Sequence, residues 1–299
     1  MSNPFALCIT HAATRPERVQ AMARLRERLG IRDIVLDSED GMSGHATVPG
    51  YGRIPYREET TRAANHVWSE HQWRWGAATE ADLVLYLQDD VLTDTGEMFF
   101  ARVQTTRLQM NATLGGTGWM CGLANHPGAK VAYLKGQCGY TTVDGLIGPC
   151  YATSSMQLGR MLDWRAQLVL GAAERTSEDV LLALYCMANG LRIYTPVPAL
   201  VNHDVKLDSM YGHGPGQPRE AAYRQSFVTV DDHDIEHLPT RDEVVHLGRF
   251  YDTAHHLLPQ VLRDAQEGIT LARRIDAERC PAGYDRMFNR VLAFEGRPA

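Results

Sequence analysis

Short apolar runs alternate with amphipathic stretches along the first ninety residues. ALCIT (6–10) is an apolar run of strand length. RPER and VQAMARLRERLG follow, with Val19, Met22, Leu25 and Leu29 at helical spacing, Pro16 suited to a first turn and Gly30 to the end. IRDIVLDSE predicts a second strand with Asp37 at its carboxyl end. Strand, helix and strand in succession predict a parallel sheet. Residues 41–57 are rich in Gly, Pro and Tyr and read as loop, and 58–79 predict a helix with Ala63, Val67, Trp68 and Trp75 among its apolar positions. LVLYLQ (83–88) is the next strand, and it ends in two adjacent acids, Asp89 and Asp90.

Further along, 96–110 and 154–171 carry helical patterns, while GWMCGLA (118–124) and KVAYL (130–134) read as a later strand pair. Ser177 is a natural N-cap, and Glu178-Asp179 open a helix that Gly190 closes. LRIYTPVPALVNHD is extended, with Pro196 and Pro198 marking strand ends or an edge. A Gly- and Pro-rich segment covers 206–217, and helical patterns dominate 242–294. The expected organisation is an α/β domain over 1–240, a mixed and mostly parallel sheet flanked by helices, followed by a helical C-terminal extension over 241–299.

Composition narrows the classes. The chain has 299 residues, 44% hydrophobic and 22% charged, as in an ordinary globular protein. No window approaches 18 uninterrupted apolar residues, so no membrane span is expected. The N-terminus shows no basic region ahead of a long apolar stretch, and no signal peptide is expected. The six cysteines form no CxxC pair, which predicts reduced, buried thiols and a cytoplasmic location. A net charge of −6 without a long basic run argues against broad binding to a phosphate backbone. No P-loop, GxSxG, HExxH or GxGxxG pattern occurs.

The acid pair is the chemical centre of the sequence. In open α/β sheets ligands bind outside the carboxyl ends of strands. Neighbouring residues on a strand point to opposite faces, so Asp89 and Asp90 can hold different jobs, one on a divalent cation and one on a water, a hydroxyl or a base. Mg²⁺ or Mn²⁺ suits oxygen ligands that leave room for waters and substrate phosphates. The pair also reads as two solvated acids at a strand end, or as a helix cap.

The strand-helix-strand start, Gln88-Asp89-Asp90, Glu178-Asp179 and His203 occur in one order, and that order resembles a GT-A-fold glycosyltransferase of the family-2-like kind. The resemblance covers about residues 5–210. It implies a GT-A-like, Rossmann-like sheet and a nucleotide-sugar donor, with a UDP-sugar expected. The usual DxD begins here with Gln88, a departure from the family pattern. By resemblance Asp90 and His203 ligate the metal, and Asp89 lies near the ribose or a metal-bound water. Thr10, His11 and Arg15 border the base and diphosphate, Asp37 accepts from the base, and Arg62 and Asn65 face the donor. Lys206 and Ser209 contact phosphate as their loop folds over. Asp179 is the expected base and Glu178 an acceptor-positioning neighbour. Each also has a plain reading: Arg15 as a surface arginine, Asp37 as a strand-ending turn residue, Arg62 and Asn65 as a solvated helix face, and Glu178-Asp179 as acids favoured by a helix dipole.

The sequence thus predicts a metal-dependent glycosyltransferase working with inversion. Its acceptor is a hydroxyl on a glycan, lipid, protein, small molecule or modified nucleic-acid base. A nucleotidyltransferase or other metal-dependent phosphoryl enzyme, and a non-catalytic nucleotide-sugar-binding protein, stand as alternatives.

Overall fold

The computed structural model describes residues 4–60, 65–114, 120–122, 139–143 and 150–166, together with 178, 182, 185, 186, 189, 191–197, 199–204 and 207. The extension expected over 241–299 and the KVAYL strand lie outside these residues. The described elements are β1 (Ala6–His11), α1 (Pro16–Leu29), β2 (Arg32–Leu36), β3 (Ser43–Val48), β4 (Gly52–Thr60), α2 (Asn65–Ala78), β5 (Val84–Gln88), β6 (Val91–Thr93), α3 (Gly96–Leu114), β7 (Met120–Gly122), β8 (Gly139–Val143), β9 (Tyr151–Thr153), α4 (Ser155–Ala166), β10 (Ile193–Val197) and β11 (Val201–His203).

Nine strands form one mixed sheet in the order β2-β3-β4-β1-β5-β9-β7-β10-β8, and β6 and β11 form a separate pair. The sheet is not mostly parallel as expected: among the described residues β1–β4, β1–β5 and β7–β10 are parallel, whereas β2–β3, β3–β4, β5–β9, β7–β9 and β8–β10 are antiparallel, because the β3–β4 hairpin and the short strands β8 and β9 enter between or beside the parallel ones. Strand β1 lies parallel to both β4 and β5 at the centre. Its alternation feeds two cores. Phe5, Leu7 and Ile9 join Leu83, Leu85 and Leu87 on one face, under Met22, Leu25 and Leu29 of α1 and Phe99, Phe100 and Val103 of α3. Ala6 and Cys8 join Val84 and Tyr86 on the other, against Trp73 of α2, Leu158 and Met161 of α4, and Leu182, Tyr185 and Cys186. A strand covered on both faces has no polar side to show, which is why ALCIT and LVLYL read as continuous apolar runs.

Helix α1 starts and stops as the sequence predicts. Pro16 stands in its first turn and Gly30 takes a left-handed φ of 65°. The Gly30 and Ile31 N–H groups donate back to the Glu27 and Arg26 carbonyls at 3.0 Å each. That is the glycine-terminated cap expected of such an end.

The segment read as loop, 41–57, is instead a hairpin. Strands β3 and β4 pair antiparallel from Ser43↔Arg57 to Val48↔Gly52, and its tip carries Gly50 at a φ of 79°. Residues 58–60 extend β4, and helix α2 is described only from Asn65. The hairpin hides in the sequence because its faces are unlike. Ile54 and Tyr56 face the first core, whereas Arg57 and Glu59 fill the opposite face and pair with each other at 2.6 Å. No apolar run therefore advertises the strand.

The β1-α1-β2 unit is also wider than the sequence implies. Strand β2 runs in the same direction as β1 but sits at the sheet edge, with β3 and β4 between them. No helix among the described residues is long and apolar enough to cross a membrane. Cys8, Cys121, Cys150 and Cys186 are free and buried, as expected.

Candidate functional site

The carboxyl ends of β4, β1 and β5 lie side by side, with Thr10 in register with Glu59 on one side and Gln88 on the other. From β1 the chain crosses to the β4 side of the sheet, whereas from β5 it goes on to the β9 side. The crevice between the ends of β1 and β5 is therefore where the strand order reverses, the place at which open α/β sheets bind ligands.

Asp89 and Asp90 stand at that crevice and are buried, 2% and 3% exposed. Both turn to one cation, Arg18 of α1, itself 3% exposed. Its Nη2 lies 2.6 Å from Asp89 Oδ1 and its Nη1 lies 2.7 Å from Asp90 Oδ2. The Ala12 N–H donates to the other Asp89 oxygen at 3.1 Å, and the Asp89 N–H donates to the Thr10 carbonyl at 3.0 Å. The planar guanidinium thus clasps two carboxylates with one arm each, a geometry a lysine cannot reproduce. Arg18 sits in the first turn of α1, where the helix dipole disfavours a cation, and the acid pair offsets that. Burial pushes the Asp89 carboxyl up to about 7, against the pull of Arg18 and with the help of the neighbouring Asp90 charge.

The short sheet brings a distant stretch to the same place. β11 pairs antiparallel with β6, setting His203 opposite Val91, and the Asp204 N–H donates to the Asp90 carbonyl at 2.7 Å. The backbones of Asp90 and His203, the two expected metal ligands, are neighbours; the His203 side chain lies outside the described residues. Among the described residues no three His, Cys, Asp or Glu side chains gather into a metal-holding group. By donor type, a carboxylate fits Mn²⁺ or Mg²⁺, and an added imidazole favours a transition ion such as Mn²⁺ over Mg²⁺. What stands in the carboxylates' grip is the Arg18 guanidinium.

A second buried network lies on the other face of β1. The Thr10 hydroxyl donates to Gln72 Oε1 at 3.0 Å, and Gln72 Nε2 donates to Glu178 Oε1. The Tyr151 hydroxyl donates to the same Glu178 oxygen at 2.7 Å and accepts from the Trp73 indole N–H at 2.7 Å. The Tyr86 hydroxyl reaches the Gln72 carbonyl at 3.0 Å. Glu178 is thus locked between α2 and β9 and joined through Gln72 to the end of β1.

The other expected residues divide. His11 ends β1 and the half-buried Arg15 lies on the turn that follows, where the Arg15 N–H donates to the Ala12 carbonyl at 3.0 Å. Asp37 is not brought to the crevice. It is exposed just beyond β2, and two strands, β3 and β4, separate β2 from β1, a spacing of about 14 Å in the sheet. Asn65 opens α2, though its side chain lies outside the described residues, as do Arg62, Asp179, Lys206 and Ser209 entirely.

The sequence reading passed over Arg18, Glu59, Gln72 and Tyr151. Arg18 left a signal: it lies four residues before Met22 and seven before Leu25, on the stripe that α1 buries. Val19, read as part of that stripe, is 47% exposed. A charged residue on an apolar stripe calls for a buried partner. Glu59, 2% exposed, is the penultimate residue of β4 beside Thr10, and burial raises its carboxyl above the ordinary value although Arg57 pulls it down. No protein-family model matches the chain, and no curated protein matches it.

Proposed function

We propose that this chain is a glycosyltransferase that moves a sugar from a nucleotide-sugar donor, with a UDP-sugar expected, to an acceptor hydroxyl with inversion. The observation that carries the reading is convergence. Thr10, Asp89-Asp90, Glu178 and the His203 strand come from four separate stretches, and all meet at the β1–β5 crevice or its hydrogen-bonded wall. A lone acid pair at a strand end has plainer explanations; an acid pair at a switch-point crevice whose central strand also anchors a buried glutamate network has fewer.

In this reading the donor diphosphate lies over the ends of β1 and β5, beside His11 and the turn that carries Arg15. A planar guanidinium such as that of Arg15 pairs well with phosphate oxygens. Asp90 and His203 would hold the divalent cation. A bound Mn²⁺ or Mg²⁺ supplies positive charge for the departing diphosphate. Glu178, fixed by Gln72 and Tyr151, is the acceptor-positioning neighbour of the base in this reading. Asp179 takes the proton of the acceptor hydroxyl as that oxygen attacks the anomeric carbon.

The test is a thermal-shift panel of nucleotide sugars with and without Mn²⁺, followed by product analysis of the best donor with mixed acceptors. A ligand that binds only the native state raises the midpoint with its concentration. One nucleotide sugar should raise it, and its sugar should appear on an acceptor or on water. A donor that stabilises without ever being cleaved favours the binding-protein alternative. A panel in which no nucleotide sugar shifts the midpoint ends the transferase reading.

A further inference from the structure

Arg18 has no part in the chemistry above, yet it occupies the centre of the acid pair. One arm of its guanidinium holds Asp89 and the other holds Asp90, at 2.6 and 2.7 Å, with all three residues almost fully buried. We propose that Arg18 is the resident cation of this pair, and that a divalent ion takes Asp90 only by displacing the guanidinium from it. The inference rests on the reading of Asp90 as a metal ligand.

The physical argument is one of exclusion. An Asp90 oxygen committed to Arg18 faces a positive charge at ion-pair distance. A divalent ion on the same carboxylate would lie within a few ångströms of that charge, and inside a protein such repulsion is only weakly screened. That repulsion sets the two cations in competition for the carboxylate. Asp89 offers the guanidinium somewhere to stay. It holds the second arm independently, and its own far oxygen is fixed by the Ala12 N–H. Arg18 can release Asp90 while keeping Asp89, so displacement frees one arm of the guanidinium for a reagent while the other stays held. Its position in the first turn of α1, against the dipole, makes it a cation held chiefly by the acids rather than by its own helix. The consequence is a chain that keeps its acid pair bridged and closed until an ion competes for it. Arg18 then tunes the metal affinity without touching substrate.

The experiment uses the full chain with Mn²⁺ alone and no nucleotide. Free Mn²⁺ is followed by electron paramagnetic resonance in titrations of the wild type, Arg18→Lys and Arg18→Met. Arg18→Met should bind Mn²⁺ at least about tenfold more tightly than wild type, with Arg18→Lys between them because lysine keeps the charge and loses the fork. A second readout needs no variant at Arg18. Arginine modification by phenylglyoxal, mapped by peptide mass spectrometry, should be slow at Arg18 in the free protein and at least severalfold faster at saturating Mn²⁺. That acceleration should vanish in Asp90→Asn. This readout decides the matter if Arg18→Met fails to fold. Equal or weaker Mn²⁺ binding in the folded Arg18 variants, unchanged labelling at saturation, or no Mn²⁺ binding by any of these proteins overturns the proposal. Because no donor is present, the two readings fail separately. A chain whose Arg18 responds to Mn²⁺ while no nucleotide sugar binds loses the transferase reading and keeps this one.

Discussion

Tyr151→Phe removes one oxygen from the buried network and leaves the ring, stacked on Tyr86 at 4.6 Å between centroids, in place. That oxygen does two things: it donates to Glu178 at 2.7 Å and accepts from the Trp73 indole at 2.7 Å. A hydrogen bond to a charged partner contributes about 1.5–3 kcal/mol, and an indole N–H stranded in the core costs about 1–3 kcal/mol. The single substitution should therefore destabilise the protein by about 4 kcal/mol, the middle of the summed range. The sharper quantity is the coupling with Glu178→Leu. The stranded indole is common to both proteins that carry Tyr151→Phe and cancels in a double-mutant cycle, leaving the hydroxyl–carboxylate bond at about 1.5–3 kcal/mol. Urea unfolding followed by tryptophan fluorescence measures all four proteins. A coupling below about 0.5 kcal/mol, the scatter of independent sites, would mean that Tyr151 does not hold Glu178, and the anchoring of Glu178 would lose its support.

Asp179→Asn should keep donor-induced stabilisation while transfer falls by about 10²–10⁴-fold, the usual contribution of a general base; turnover within a few-fold of wild type removes Asp179 from the mechanism. Glu59 supplies a pH test. Burial raises its carboxyl in the folded state above the ordinary value of 4.5, so over the window just above 4.5 the folded chain holds a proton that the unfolded chain has lost. Its contribution to stability must then fall as pH rises through that window, and Glu59→Gln should flatten this slope relative to wild type in urea unfolding between about pH 4 and 7. An identical slope in both proteins would mean that Arg57 fully offsets the burial.

The central strands were legible because burial on both faces leaves an unbroken apolar signature, and α1 because proline and glycine mark its ends. The acid pair was legible as a strand terminus. Its partner was not, because Arg18 joins Asp89 and Asp90 across a distance in sequence that no local pattern spans. The β3–β4 hairpin escaped for a related reason. Arg57 and Glu59 neutralise each other on one face of β4, and Arg57 reaches Asp40 at 3.0 Å and Ser43 besides, so a buried surface is written in charged residues. Misplacing the hairpin also misplaced Asp37. With β4 inserted beside β1, the acid nearest the crevice on that side is Glu59, and Asp37 stands out at the edge.

The two halves of the site are not independent, because one strand end supports both. Thr10 lies on the same face of β1 as Ala6 and Cys8, and from there it reaches Gln72 and, through it, Glu178. The Thr10 carbonyl holds the Asp89 N–H, and the Ala12 N–H holds the Asp89 carboxylate. The backbone that orients the acid pair is thus continuous with the side chain that anchors the Glu178 helix. A slip of one residue in the register of β1 would turn Thr10 to the opposite face and break both attachments together. That register is fixed by apolar residues packed on both faces and by parallel pairing with β4 and β5. The precision of the site therefore comes from the dry centre of the sheet, and the polar groups at its edge inherit it.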